Sequence, residues 1–218
     1  DFRIFLLITN LNPLSLYIYK EGFARFCSEL YQSPSLSNFD NHYSHFSSVK
    51  LNLENEKPSN SYIIRSFSST LEQIAENEIK ANEIWEKIKD LSIKSILALL
   101  PKFISYAKIA CQANDVEFIK KGITPIDPLH RFFHLFAIDF IIDENFNPFV
   151  IDLNHNPGMQ TINQIDQNIK AELIEDELYL FDSIIKNEKN KTIDKWEQLL
   201  PTSKSQINEL ITKIKSKE

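Results

Sequence analysis

Apolar residues dominate positions 2–10 (FRIFLLITN) and 14–19 (LSLYIY), and Asn12-Pro13 between them is a turn signal. An antiparallel hairpin is therefore predicted. A short third strand is expected over 23–27 (FARFC), with Lys20 and Glu21 in the preceding turn. Residues 32–69 are rich in Ser, Asn and Pro and lack periodicity, so they read as a long, partly mobile surface loop. From Leu71 the spacing becomes helical, because Leu71, Ile74, Ala81, Trp85 and Ile88 recur at helical intervals. A second helix is expected to begin at Pro101, a residue suited to a first turn, with Phe103, Ala107 and Ala110 on one face. This stripe reads as ordinary core packing. Residues 114–130, with Gly122, Pro125 and Pro128, are expected to be irregular. Two strands follow at 133–142 (FHLFAIDFII) and 148–154 (PFVIDLN), then an amphipathic helix over 162–185 through Ile162, Ile165, Ile169 and Leu173. A last helix is expected over 203–217.

The hairpin 133–154 is the most informative segment. Centring its turn between Asn145 and Phe146 sets Asp139 opposite Asp152, with Asn154 on the same face. Ile138, Phe140 and Ile151 then point the other way, into a core. Opposed carboxylates repel each other across a sheet, and burial among apolar strands adds to the cost. A bound cation removes the problem. Two carboxylates and an amide oxygen are hard ligands suited to Mg²⁺. Two plainer readings stand beside this one: hydrogen-bonded structural carboxylates, or a one-residue slip that places the two on opposite faces.

Composition narrows the picture. With 218 residues, 43% hydrophobic and 11% aromatic, the chain can bury the core of one sizeable domain or two small ones. Lys and Arg number 24 against 30 Asp and Glu, a net charge of −6, which suits a general nucleic-acid binder poorly. The only glycines are Gly22, Gly122 and Gly158, so neither a P-loop nor a dinucleotide fingerprint is present. Any metal-nucleotide site must work without a glycine loop. Cys27 and Cys111 have no zinc-ligand spacing and read as buried thiols of a reducing compartment. No apolar run reaches the ~20 residues of a membrane span, and no signal peptide is visible. The sole methionine is Met159 and the chain opens on a hydrophobic run, so it is expected to begin inside a domain of a longer protein. The stretch from 186 carries most of its charge as lysine and reads as a separate helical tail, 186–218, after a domain of residues 1–185.

FAIDFIIDENFNPFVIDLNHNPG resembles the signature segment of the tubulin tyrosine ligase-like family, one of the ATP-grasp ligases. Four further blocks follow that family's order: DFRIFLLIT, LYIYKEGFARFCSELY, HFSS at 45–48, and DQNIKAELIEDELYL. The resemblance covers about residues 1–182. It implies an α+β fold, the C-terminal part of an ATP-grasp domain, with a mainly antiparallel sheet packed against helices. It implies that Asp139, Asp152 and Asn154 hold Mg²⁺, and that Asp1, Arg3, Ser47, Ser48, Asp139 and Asn154 contact ATP. Arg3 and Arg25 are the implied catalytic residues, contacting phosphate or substrate. As plainer roles, Arg3 would pair with a surface carboxylate, Arg25 would be solvated, and His45, Ser47 and Ser48 would cap turns.

The activity implied is ATP-dependent ligation of an amino acid to tubulin tails. ATP phosphorylates a carboxylate, and the amine of the amino acid attacks the acyl phosphate. Glutamate addition is the first expectation and glycine addition the second, with tubulin or microtubules as partner and neither nucleic acid nor membrane involved. The expected place is the cytoplasm and cytoskeleton, including the cilium or basal body. The lysine-bearing tail is expected either to touch acidic tubulin surfaces or to be a solvated helix. Departures from the family pattern are Asp152 for Glu, Ser47-Ser48 for Thr-Asn, Val49 for an aromatic, Lys50 for Ser and Asn156 for a small residue. They motivate the alternative of a catalytically inactive, microtubule-associated member, and a truncated product with no independent function is the third reading.

Overall fold

The computed structural model describes residues 1–58, 62–124, 127–186 and 194–216, without side chains at 113, 114 and 131. Pro125, residues 59–61 of the predicted loop, the first part of the predicted tail and residue 217 of the last predicted helix lie outside the described residues. Among the described residues, six antiparallel strands form one sheet: β1 (Phe2–Leu11), β2 (Leu14–Arg25), β3 (Ile64–Ser66), β4 (His134–Ile142), β5 (Pro148–Asn154) and β6 (Trp196–Leu200). The path runs β3-β2-β1-β4-β5, and β6 pairs with β2. β2 is long enough for its outer edge to hold β6 at Leu16–Tyr19 and β3 at Phe23–Arg25.

Alternation along the strands gives each face its own core. Ile4, Leu6 and Ile8 of β1 join Phe136, Ile138 and Phe140 of β4 on one face. Phe67 and Leu71 of α3 (Phe67–Ile74) pack there, with Ile84, Ile88, Ile96, Leu100 and Ile104 of α4 (Glu78–Lys120). Phe5 and Leu7, offset by one residue, face the other way with Tyr19, Phe23 and Ala137. Ile169, Leu173 and Leu180 of a further long helix, Gln164–Ile185, cover that face. Tyr19 is buried and donates its hydroxyl proton to Asp176 of that helix at 2.8 Å, tying it to β2.

Several elements differ from the sequence reading. The predicted third strand is the end of β2, so Lys20 and Glu21 sit in a strand rather than a turn. The Glu21 carboxylate accepts bonds from the Ser68 amide and from the Ser66 and Ser68 hydroxyls, at the N-terminus of α3. The predicted loop holds two short helices, α1 (His42–His45) and α2 (Val49–Leu53), together with β3 and the start of α3. Asn52, buried in α2, organises this stretch: its amide donates to Phe46 O and Ser48 O, and its oxygen accepts from the Ser28 amide. No helix begins at Pro101, because α4 runs through it. Proline removes one helical N–H, but buried Leu97, Leu100 and Ile104 on either side hold the helix to the sheet. α4 also continues past residue 114, to Lys120. It stops at Gly122, whose φ of 70° and whose bonds from Gly122 N to Ile119 O and Ile123 N to Phe118 O form a Schellman cap.

α4 has the length and apolarity of a membrane span; within it Ile84, Ile88, Ile93, Ile96, Leu97, Leu100 and Ile104 are buried in the core, while Ile79, Tyr106 and Ile109 are exposed. The remaining helices are α5, the Gln164–Ile185 helix above, and α6 (Ser205–Lys215), shorter than the predicted last helix. The segment 186–218 is not a helical tail alone. β6 lies within it and buries Trp196, Leu199 and Leu200. Neither cysteine forms a disulfide, and both are only partly buried.

Candidate functional site

Register places the candidate residues. On the α5 face, Arg3 of β1 lies directly opposite Asp139 of β4, and Asp139 lies opposite Asp152 of β5. The predicted Asp139–Asp152 pairing is therefore present. A bulge follows it, since Asp139 pairs with Asp152 but Phe140 pairs with Val150. Ile151 is the extra residue and is 53% exposed, so it does not point into the core as expected. Ile138 and Phe140 do.

Asp139 is buried at 4% exposure. Arg3 holds it bidentately, Nε to Oδ1 at 2.8 Å and Nη2 to Oδ2 at 2.7 Å. Arg25 adds Nη2 to Oδ2 at 2.8 Å and turns its Nε to Asp1 Oδ1 at 2.5 Å. Asp1 Oδ2 in turn accepts from the Ser47 hydroxyl. Asn154 approaches more loosely, Nδ2 to Asp139 Oδ2 at 3.4 Å. Asp1, Arg3, Arg25, Ser47, Asp139 and Asn154 thus form one connected network, with two arginines satisfying a carboxylate that would otherwise be unpaired. Burial pushes the Asp139 carboxyl up, but the Arg3 bonds and the Arg25 charge outweigh it and hold the group below the usual carboxylate range.

Two candidates stand apart. Asp152 is exposed, and its Oδ1 accepts from the Leu153 amide at 2.8 Å, so it is not the desolvated partner that the sequence suggested. Ser48 is exposed at the start of α2, where its carbonyl accepts from Asn52. His45 bonds Asn38 O at 3.0 Å, a loop contact.

Beside the network lies a cavity of about 230 Å³. Arg3, Arg25 and Lys170 of α5 are among its polar lining, and Phe5, Phe23 and Val49 are among its apolar lining. Lys170 pairs with Asp166 at 2.8 Å and donates to Gln160 O at 2.7 Å. Sequence reasoning gave Lys170 no role. Its signal was its place in the DQNIK block, one turn after Asp166 on the buried side of α5.

The donor set suits Mg²⁺ in kind. Asp139, Asp152 and Asn154 offer hard oxygens from one hairpin, and the side chains of Asp139 and Asn154 are neighbours. Among the described residues no three acidic, His or Cys side chains cluster as a metal site.

A family model, the Tubulin-tyrosine ligase family, matches residues 1–192. The chain is similar to the "Probable beta-tubulin polyglutamylase" of Tetrahymena thermophila (27% identical over 208 residues, 92% of this chain and 16% of the relative). It is also similar to "Tubulin polyglutamylase TTLL11" of Mus musculus (27% over 205 residues, 85% and 26%) and "Tubulin monoglutamylase TTLL4" of Homo sapiens (27% over 194 residues, 86% and 15%). The chain therefore spans about a quarter or less of the length of these three relatives.

Proposed function

The chain belongs to the tubulin-tyrosine ligase family, and from that premise we propose that it carries part of an ATP-grasp ligase site that adds glutamate to tubulin tails. The observation that carries this reading is the pair of arginines, Arg3 and Arg25, gathered around the buried Asp139 at the edge of a small cavity. The names of the similar proteins, polyglutamylases and a monoglutamylase, favour glutamate over glycine.

The residues fit the demands of such a reaction. A tubulin carboxylate takes a phosphoryl group from ATP, the amino acid's nitrogen bonds to the activated carbon, and phosphate leaves with the amine's proton released. Negative charge builds on the phosphate oxygens. Arg3 and Arg25 supply fixed guanidinium donors where that charge develops, already oriented by Asp139 and Asp1. Asp139, Asn154 and Asp152 would hold Mg²⁺. The ion would supply positive charge to offset the negative charge that develops on the phosphate. On this reading the protein works on microtubules in the cytoplasm, with the cilium or basal body as candidate places.

One observation favours a second reading, a catalytically inactive microtubule-associated member. Asp152 is a carboxylate one methylene shorter than the family's Glu, and it bonds its own neighbour rather than reaching Asp139. A Mg-ATP titration of the full-length protein separates the two. Nucleotide binding that Asp139→Asn weakens by about tenfold or more supports the ligase reading. No nucleotide binding by the native protein favours the inactive one.

A further inference from the structure

The outward side of α5 is apolar. Ile174, Leu178, Phe181 and Ile185 follow one another at intervals of four, three and four residues. At ~100° per residue they fall within about 60° of one another. They are turned away from Ile169, Leu173 and Leu180, which face the sheet. All four are exposed, Leu178 by 63% and Ile185 by 66%. Apolar residues scattered singly over a surface are ordinary. Four aligned over about three turns make a seam, and their spacing is that of a helix that pairs with another helix. Carboxylates border the seam on both sides. Glu177 lies along one edge, and Glu175 and Asp182 lie along the other. Asp182 has Lys186 as its partner at 2.7 Å. Neither Glu175 nor Glu177 makes a hydrogen bond or ion pair among the described residues. Glu177 is half-buried, and burial pushes its carboxyl above the ordinary glutamate range with no cation to oppose the shift.

We propose that this seam is a docking surface for a basic amphipathic helix of a separate partner protein, with apolar residues at its a and d positions and Lys or Arg at the flanking e and g positions. Charge complementarity selects that partner. Glu175 and Glu177 stand beside the apolar seam, where a paired helix presents its e and g residues. A lysine or arginine there gives half-buried Glu177 the counter-charge it lacks. The methylene stem of the same residue covers apolar side chains of the seam. A second copy of α5 fits badly, because residues 171–185 hold five carboxylates and no Lys or Arg. Like charges would then meet across the contact. An anionic lipid surface is disfavoured on the same ground. The seam is separate from the arginine network, so the inference stands independently of the ligase reading.

The test is fluorescence anisotropy of a labelled synthetic helix titrated with the full-length protein. The helix has about three heptads, with Leu at a and d and Lys at e and g, and its twin carries Glu at e and g. The native protein is expected to bind the lysine helix about tenfold or more tighter than the glutamate helix. Leu178→Gln with Ile185→Gln is expected to weaken that binding by about a hundredfold or more. Ile79→Gln, which changes an exposed apolar residue of α4, is expected to leave it unchanged. Glu175→Lys with Glu177→Lys is the second variant, and it is expected to reverse the preference towards the glutamate helix. No binding of the lysine helix by the native protein, binding that the Leu178→Gln, Ile185→Gln variant keeps, or equal affinity for the two helices overturns the proposal. A native dimer that this variant makes monomeric in light scattering also overturns it, by giving the seam to a second copy. So does seam-dependent binding to phosphatidylserine vesicles in place of the helix, which gives the seam to a membrane.

Discussion

Asp139 ties the stability of the site to the chemistry proposed for it. It is the carboxylate between two guanidiniums, and removing it leaves both arginines without their shared partner. Breaking a buried pair from one side costs about 3–5 kcal/mol, and the partial exposure of Arg3 (22% of its side chain) argues for the low end. Asp139→Ala is therefore expected to lower the urea midpoint, and any activity loss must be read against a folding control. The same contacts set a pH dependence. The folded-state pKa lies below the ordinary value, so the stabilisation is fully present above about pH 4 and is lost as pH falls through the lower, folded value. Urea titrations from pH 5 to 2 should show native stability falling more steeply than that of Asp139→Asn. Parallel curves would remove Asp139 from the account. The sequence exposed Asp139 through its neighbour Asp152, but the cation that answers it is Arg3, 136 residues away. Periodicity within one hairpin cannot find a partner on another strand. Only the family resemblance pointed to both arginines.

At the scale of elements, β1 and β2 hold the arginines in place, and Gly22 lets them approach. A Cβ at Gly22 would lie 2.2 Å from the carbonyl oxygen of Arg3, so the backbone carrying Arg3 would have to move. Gly22→Ala is expected to cost about 1–3 kcal/mol as overpacking and, by displacing Arg3, to weaken nucleotide binding more than the stability loss explains. Thermal denaturation beside a Mg-ATP titration checks both halves. The hairpins of β1–β2 and β4–β5 were legible because apolar runs flank a clear turn in each. The Asp139–Asp152 pairing was legible too. The bulge at Ile151 was not, because nothing in an alternating pattern marks one extra residue. Pro101 misled for a related reason. A proline signals a helix start only when tertiary packing does not override it, and the buried residues on both sides of Pro101 do. Gly122 was read only as part of an irregular stretch from 114, whereas it ends α4 in a Schellman cap.

At the scale of the whole molecule, the sheet closes with residues from both ends of the chain. β6 pairs with β2 and buries Trp196, Leu199 and Leu200. Fully burying such side chains stabilises by roughly 1.5–3 kcal/mol each, a sum comparable with the ~5–15 kcal/mol of a typical domain. Removing residues 194–218 is expected to abolish the cooperative unfolding transition in circular dichroism, and an unchanged transition would show β6 to be dispensable. Lysine-rich composition hid this strand, since its five residues are too few to show a period. The central claim, a ligase centred on Asp139, is tested most directly by turnover. The full-length protein is incubated with tubulin, Mg-ATP and labelled glutamate or glycine, beside a folded Asp139→Asn control. The account predicts glutamate incorporation into tubulin that the control loses. No incorporation of either amino acid by the native protein, or equal incorporation by the control, would contradict it.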